Sequence, residues 1–519
     1  MIRKGREFAQ LDMFDGDMVF EEMIPPNHWA RAFRSFFANL LPKDFFDGMY
    51  HERLGRPAND PVILTAALAL QEYLHLSDRE LERRVRYNLE IKFALGLPAF
   101  HKGFDHSVFD AHRNRLRKHG KDKELFALVL RHMVDSGLVK SSETMFVDAT
   151  HIEPAITIVS PVALTRRAIS NVVRALDKSE QVSHQELRDI GLGDYLQHIT
   201  RQEKAGRFDE GKLSEVKRAE VLREVYRQAT TLLELVEGAA IGDAAEEVAV
   251  LRTVLSQSLK KTEGGVETLK RHESQDRIVS VADPEARYGR KSKLKTFNGY
   301  KAHIAVTKQG VITATTVSPG NVADGNELPA ISEQLAENEL KPKIMGTDSA
   351  YGWGENQEFA KTNGFDLYAK PTNFKPLPEG FTYDSDKKTI VCPNGVHGKP
   401  GKEVNNKTHY SFLVENCRGC ERFSTCRGKD QRKRIEISRF YSLNEAAHNR
   451  CSTEEYKVVM KDRYVVERAF YGIAVASGMR KLRRWGKRNV EYTLNLISAI
   501  TNILCHLRRA RAEVLPRMV

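Results

Sequence analysis

Apolar positions recur along this chain first with a helical period and later with the alternation of strands, and the change divides the sequence. From Pro61 the run PVILTAALALQEYLHL reads as a helix, and Ser77-Asp-Arg-Glu80 supplies a capping box that starts another. The pair has helix-turn-helix character. After the turn-rich LGLPAFHKGFD, Ser107 can cap a strongly basic helix, SVFDAHRNRLRKHG, and KDKELFALVLRHMVDSGL follows as an amphipathic one. Residues 1–138 are therefore expected to form a helical N-terminal domain, with helices from about residue 25.

ETMFVD then reads as a short buried strand that ends at Asp148, within a first core segment of residues 139–160. A helical insertion, rich in Leu, Glu, Lys and Arg, is expected over 161–275. Strand character returns in YKAHIAVT and VITATTVSP, which the Gln309-Gly310 turn joins as a hairpin. A helix over ELPAISEQLAENEL leads to a strand, KIMGTD, ending at Asp348, and a helix over ENQEFAKTNG leads to a strand, FDLYAKP. Residues 276–373 thus continue a mixed α/β core. Residues 374–451 turn polar, loop-like and Cys-containing, and are expected to form a small separate module. Helical periodicity resumes over 452–519, through STEEYKVVMKDRYVVERAFYGIAVASGMRKLRRW and EYTLNLISAITNILCHLRR, with Glu467 on the first stretch.

Composition narrows the class. With 41% hydrophobic and 29% charged residues and no apolar run near the ~20 residues that a bilayer requires, the chain reads as a folded soluble protein. The start, MIRKGREFAQLDMF, lacks an apolar core of the kind that directs export, so a cytoplasmic, nucleoid-associated location is expected. The net charge of +12 favours polyanionic partners, and its distribution says more. Arg480 to Arg488 holds six cations in nine residues, and Ala286 to His303 holds six without one acid. A solvated helix face would also explain such clusters, as packing or dimerisation would explain the N-terminal helices; DNA explains both together.

Cleavage of a phosphodiester needs a deprotonated attacking oxygen and a stabilised leaving oxygen, which two divalent ions about 4 Å apart can provide. Hard Mg²⁺ or Mn²⁺ requires carboxylates to hold it. Two strand-terminal aspartates, Asp148 and Asp348, and the helical Glu467 would suffice. Singly, Asp148 also reads as a turn residue, Asp348 as a helix cap and Glu467 as part of a solvated face.

Their surroundings carry a resemblance. VDATHIEP after a strand, DPEARYGRKSKLKTFNGYKAHIAVTKQGVITATTVSPGNVADGNELP, GTDSAYGWGEN and RYVVERAFYGIAV resemble, in order, the blocks of bacterial insertion-sequence transposases with an Asp-Asp-Glu (DDE) triad and a ribonuclease-H-like fold. The N-terminal LGRPANDPVILTAALALQEYLHLSDRELERRVRYNLEIKFALGLP is similar to the DNA-binding domain that precedes the core in this group, and the Cys module also matches. The resemblance implies Asp148, Asp348 and Glu467 as catalytic ligands of Mg²⁺ or Mn²⁺, double-stranded DNA (transposon ends and target) as the partner, and a homodimer or higher homo-oligomer. In a large subgroup the Glu helix carries Tyr, two residues, Arg, three residues, Glu, six residues, Lys. Arg463 and Glu467 fit, whereas Met460 and Ala474 stand in the Tyr and Lys places. The resemblance then implies phosphate contacts for Arg463, with Arg480 or Lys481 replacing the missing Lys. Arg290, Lys291, Lys293 and Lys295 are further expected DNA contacts.

Other residues have plainer readings. His151 and His303 could assist the site but suit structural roles better, Asp324 is either an accessory acid or a helix cap, and Trp353 and Trp485 read as packing residues before base-stacking ones. Cys417-x2-Cys420-x5-Cys426, with Cys392 upstream, offers four thiolates that could hold a structural Zn²⁺ in a module with little core of its own; Cys451 and Cys505 read as core. Two further functions fit the same residues: a DNA-binding factor that has lost catalysis, and a metal-dependent nuclease that cuts without rejoining.

Overall fold

A computed structural model describes residues 20, 22–51, 58–179, 182–197, 214–237, 242–270, 273, 274, 276–292, 294–427, 433–476 and 478–512. The first described helices are α1 (Trp29–Leu40), α2 (Pro61–Tyr73), α3 (Asp78–Tyr87), α4 (Leu89–Ala94), α5 (His106–Lys118) and α6 (Lys121–Asp135). Asp60 caps α2, with Pro61 in its first turn. The expected capping box starts α3: the Glu80 amide donates to the Ser77 hydroxyl, and the Ser77 amide to the Glu80 carboxylate. At α5 the cap is Asp105 and not Ser107, because the Asp105 carboxylate accepts from both the amide and the hydroxyl of Ser107.

Strand β1 (Met145–Pro154) leads into the insertion, with α7 (Pro161–Lys178), α8 (Glu215–Leu235) and α9 (Ala245–Ser258). The insertion buries an apolar cluster of its own, including Val172, Leu176, Leu232, Leu251 and Val254. It is not helical to its end. The helix ends at Ser258, and Leu259–Thr262 (β2) and Gly265–Thr268 (β3) form an antiparallel hairpin with Gly264-Gly265 at its turn.

The core continues through β4 (Arg287–Arg290), β5 (Thr296–Thr307), β6 (Ile312–Pro319), α10 (Leu328–Glu337), β7 (Ile344–Gly346), α11 (Gly354–Thr362) and β8 (Asp366–Tyr368). The main sheet runs β6-β5-β1-β7-β8, antiparallel across the first two pairings and parallel across the last two. Strand β4, absent from the sequence reading, pairs with the start of β5. Strand β1 also outruns its expected end, since residues up to Ile152 pair with β5, which leaves Asp148 mid-strand opposite Ile304.

The Cys-containing segment carries more described residues in turns and loops than in strands, and its short strands form two small sheets. β9 (Thr382–Asp384) pairs with β10 (Thr389–Val391), and β11 (Lys399–Pro400), β12 (Lys407–Phe412) and β13 (Lys433–Ser438) form a second sheet. Its own core is small, of Ile390, Tyr410, Phe412, Ile435, Ile437 and Tyr441, and Cys392 and Cys417 pack against it.

After α12 (Tyr441–Arg450), the expected long helix is divided. α13 (Glu454–Lys461) and α14 (Tyr464–Phe470) precede a π turn (Tyr471–Ala476), and the chain leaves the helix at Gly478, whose φ of 68° suits glycine. β14 (Lys481–Leu482) then pairs in parallel with Glu153 and Pro154 of β1. The last helix, α15 (Lys487–Ala512), packs on β6 and on α2 and α6. Asn502 bonds both the amide and the carbonyl of Ile312, at 2.8 Å each. One apolar cluster consequently runs from the N-terminal helices through the sheet to α15, so residue 138 marks a change of element within one packed body. Among the described residues no helix is long and apolar enough to cross a membrane.

Candidate active site

The register of β1 and β7 sets two acids side by side. Met145 pairs with Met345 and Phe146 with Gly346, so Asp148 and Asp348 lie the same two residues beyond the last pair. The approach depends on Gly346, where an added Cβ would stand 2.7 Å from the Phe146 ring. Beyond β7 the Asp348 carboxylate caps a short 3₁₀ turn, Ser349–Tyr351, by accepting from the Ala350 amide at 2.9 Å. The capping reading of Asp348 was therefore correct as far as it went, and the carboxylate also faces a cleft.

That cleft, of about 510 Å³, is lined by Asp148, Asp348 and Glu467 together with Asp324 and Lys301, and by Ala149, Thr150, His151, Arg290, Lys291, Phe297, Phe470, Tyr471 and Arg480. Glu467 stands on α14 with its side chain 66% exposed, while that of Asp148 is 20% exposed. Arg463, one turn before Glu467, bridges the acids: Nη1 donates to Asp148 Oδ2 at 2.9 Å and Nη2 to Glu467 Oε1 at 3.4 Å. Lys301 pairs with Asp324 at 2.7 Å. Asp324 makes no side-chain cap for the turn it begins, so the accessory-acid reading fits it better than the capping one.

Electrostatics mark the two aspartates. Burial raises the Asp148 carboxyl above its ordinary range; the Ala149 amide offsets part of this, nearby Asp348 adds to it, and Arg463 opposes it. Asp348 is likewise raised, first by burial, against the Ala350 amide, with Asp324 adding and Arg463 and Lys301 opposing. Carboxyls that resist ionisation beside one another favour a neutralising cation, and an all-oxygen donor set suits a hard divalent ion. The three carboxylates share the cleft but do not close to mutual ligating distance. Among the described residues, the group whose ligand atoms all lie within 4.8 Å of one another is Glu82, Asp105 and His106. It is accounted for by the α5 cap and by the 3.1 Å pairing of His106 with Glu82. The thiols of Cys392, Cys417, Cys420 and Cys426 form no such group either, so as placed they do not make the tetrahedral set that Zn²⁺ requires.

The remaining sequence-derived residues divide. Arg480 lines the cleft, whereas Lys481 is exposed on β14; Arg290 and Lys291 line it, and Lys295 is exposed on the same hairpin. Lys293 lies outside the described residues. His303 is structural, buried between the Tyr351 hydroxyl at 3.0 Å and the Ser318 hydroxyl at 2.8 Å, and it steadies the turn that carries Asp348. Trp353 packs beside Gly325, but Trp485 is 48% exposed and is no core residue. Cys451 and Cys505 are half-buried, as are the other four. Lys301 was counted only as one cation of a run; its place directly opposite His151 in the β1–β5 pairing was the signal that it faces the site.

Two family models match the chain. Residues 18–115 match one described as a transposase domain (DUF772), and residues 266–503 match one described as a transposase DDE domain. Neither a curated protein nor a solved structure matches. Asp348 and Glu467 fall within the second range; Asp148 lies outside both, and its place beside Asp348 rests on the pairing of β1 with β7.

Proposed function

The chain belongs to the insertion-sequence DDE transposases, and from that premise we propose that Asp148, Asp348 and Glu467 are its catalytic carboxylates, acting in metal-dependent cleavage of transposon-end DNA and transfer of the freed 3′ end to target DNA. The observation that carries this reading is the convergence of three carboxylates from β1, β7 and α14 on one cleft walled by Arg290, Lys291 and Arg480. The strand order β6-β5-β1-β7-β8 is consistent with a ribonuclease-H-like core.

In this reading Asp148 and Asp348 on the sheet side of the cleft and Glu467 on the helix side would hold Mg²⁺ or Mn²⁺. Such ions, when bound, lower the pKa of the attacking water or hydroxyl and neutralise the leaving oxygen. Arg463 balances the charge of Asp148 and Glu467, and its guanidinium lies beside the same cleft, where it could also meet the DNA backbone. Arg290, Lys291, Lys293, Lys295, Arg480 and Lys481 supply backbone contacts, which position the strand without reading its sequence. The N-terminal helices contribute to end binding, and a homodimer or higher oligomer brings two ends together.

Purified full-length protein, Mg²⁺ and DNA bearing the element's inverted repeats test this. Nicked and strand-joined products are expected, with Asp148→Ala retaining DNA affinity while cleavage falls to background. Cleavage by that variant would remove Asp148 from the mechanism, binding without cleavage by the wild type would indicate a factor that has lost catalysis, and nicking without joined products a nuclease.

A further inference from the structure

Beyond the carboxylates, the cleft contains two buried polar atoms, His151 Nδ1 and Arg480 Nε, that find no partner among the described residues. An orphaned buried donor or acceptor costs about 1–3 kcal/mol, and native structures hold few of them. Here both occur in one cleft. His151 is 4% exposed, with its ring against Phe297 at a centroid distance of 5.3 Å, and its other nitrogen is 3.8 Å from Glu153, beyond hydrogen-bonding reach. Arg480 is fixed from both sides, since its amide donates to the Ala474 carbonyl at 3.0 Å and its carbonyl accepts from the Glu153 amide at 2.9 Å. Among the described residues its Nη2 reaches Thr150 Oγ1, at 3.4 Å.

Strand β1 and the turn before β14 thus place two nitrogen groups in the cleft, and cations surround them. Burial holds His151 down to about 4, and Arg480, Lys291 and Lys295 add to the depression, so the ring is neutral and its surroundings electropositive. A neutral imidazole can still donate through Nδ1–H. Donors fixed in a cationic recess match a tetrahedral oxyanion, which accepts several hydrogen bonds at once.

We propose that His151 and Arg480, with Lys291 at the rim, form a subsite for one backbone phosphate of the DNA strand, beside the carboxylate cluster. This rests on the reading of DNA as the substrate, and it gives His151 a positioning role: its hydrogen bond would fix where the strand lies relative to Asp148. Charge alone would attract any polyanion, whereas these donors seat a particular phosphate.

The test is metal-free, so that it is independent of catalysis. With full-length protein in chelator and a labelled duplex of about 30 base pairs, affinity is measured against salt concentration. Arg480→Gln should weaken binding about tenfold and lower the slope of log K against log salt by about one. His151→Phe should weaken it several-fold with the slope unchanged, and His151→Gln, which restores a donor, should recover most of the loss. A purely structural His151 would give no such rescue. Wild-type affinity in His151→Phe, or equal weakening in His151→Phe and His151→Gln, would overturn the subsite. Wild-type protein that binds but never cuts in Mg²⁺ would instead defeat the catalytic reading and leave the subsite standing.

Discussion

Asp348 serves two opposing ends, and the conflict can be measured. Its carboxylate caps the turn after β7, which stabilises the fold, yet burial and Asp324 make its ionisation unfavourable. A carboxyl whose folded pKa lies above its unfolded value stabilises the protein below the unfolded pKa, and that stability is lost as pH rises through the folded value. Asn keeps the cap without the charge. Metal-free Asp348→Asn should therefore melt about 1–2 °C above the wild type near pH 7.5, with the gap closing toward pH 4. Mg²⁺ at about a hundred times its Kd should add about 2.7 kcal/mol to the wild type and little to the variant. A variant less stable than wild type at neutral pH would show that the Asp348 charge is no burden. The same ionisation sets the direction of activity, which should fall as pH is lowered into the raised range of Asp148 and Asp348.

Among elements, the π turn after α14 explains the departure at Ala474. It follows Phe470, the last residue of α14, and carries Ala474 into the core at 1% exposure, so a lysine there would be buried away from the cleft. Arg480, from the segment beyond, lines the cleft instead. Ala474→Lys, which restores the subgroup's spacing, should thus cost about 3 kcal/mol or more in urea unfolding; a cost under about 1 kcal/mol would place the position at the surface. Alternation and capping made β5, β6, β7, β8, α2 and α3 legible, and Asp348, just past the end of β7, followed from them. What escaped was set by partners distant in sequence. β4 has four residues and exists through its pairing with β5, and the run of β1 beyond Asp148 depends on the same neighbour. The end of the helical stretch after α14 turns on a π turn and Gly478, which leave no mark on apolar periodicity. The pairing of Arg463 with Asp148 was likewise invisible, since spacing showed only the Arg463–Glu467 neighbourhood on one helix.

At the scale of the whole molecule, the cation run from Arg480 to Arg488 is divided between structure and site. Arg484 pairs with Glu72 of α2, and Arg488 Nη1 donates at 2.9 Å to Asp122 of α6, whose side chain is fully buried and also accepts from Asn495 at 2.8 Å. These pairs fasten α15 to the N-terminal helices, so part of what reads as a DNA-binding cluster is internal. Arg488→Ala would leave Asp122 buried with one neutral donor, and it should destabilise the protein by about 3–5 kcal/mol in urea unfolding, against under about 1 kcal/mol for exposed Lys481→Ala. The central claim is that the same body gathers three carboxylates, two of which Arg463 spans, to share divalent metal. A crystal structure of the full chain with Mn²⁺, read by anomalous scattering, tests this most directly. Manganese ligated by Asp148, Asp348 and Glu467, with Arg463 displaced from the acids, is the predicted result; manganese bound only elsewhere, with Arg463 still bridging Asp148 and Glu467, would contradict it.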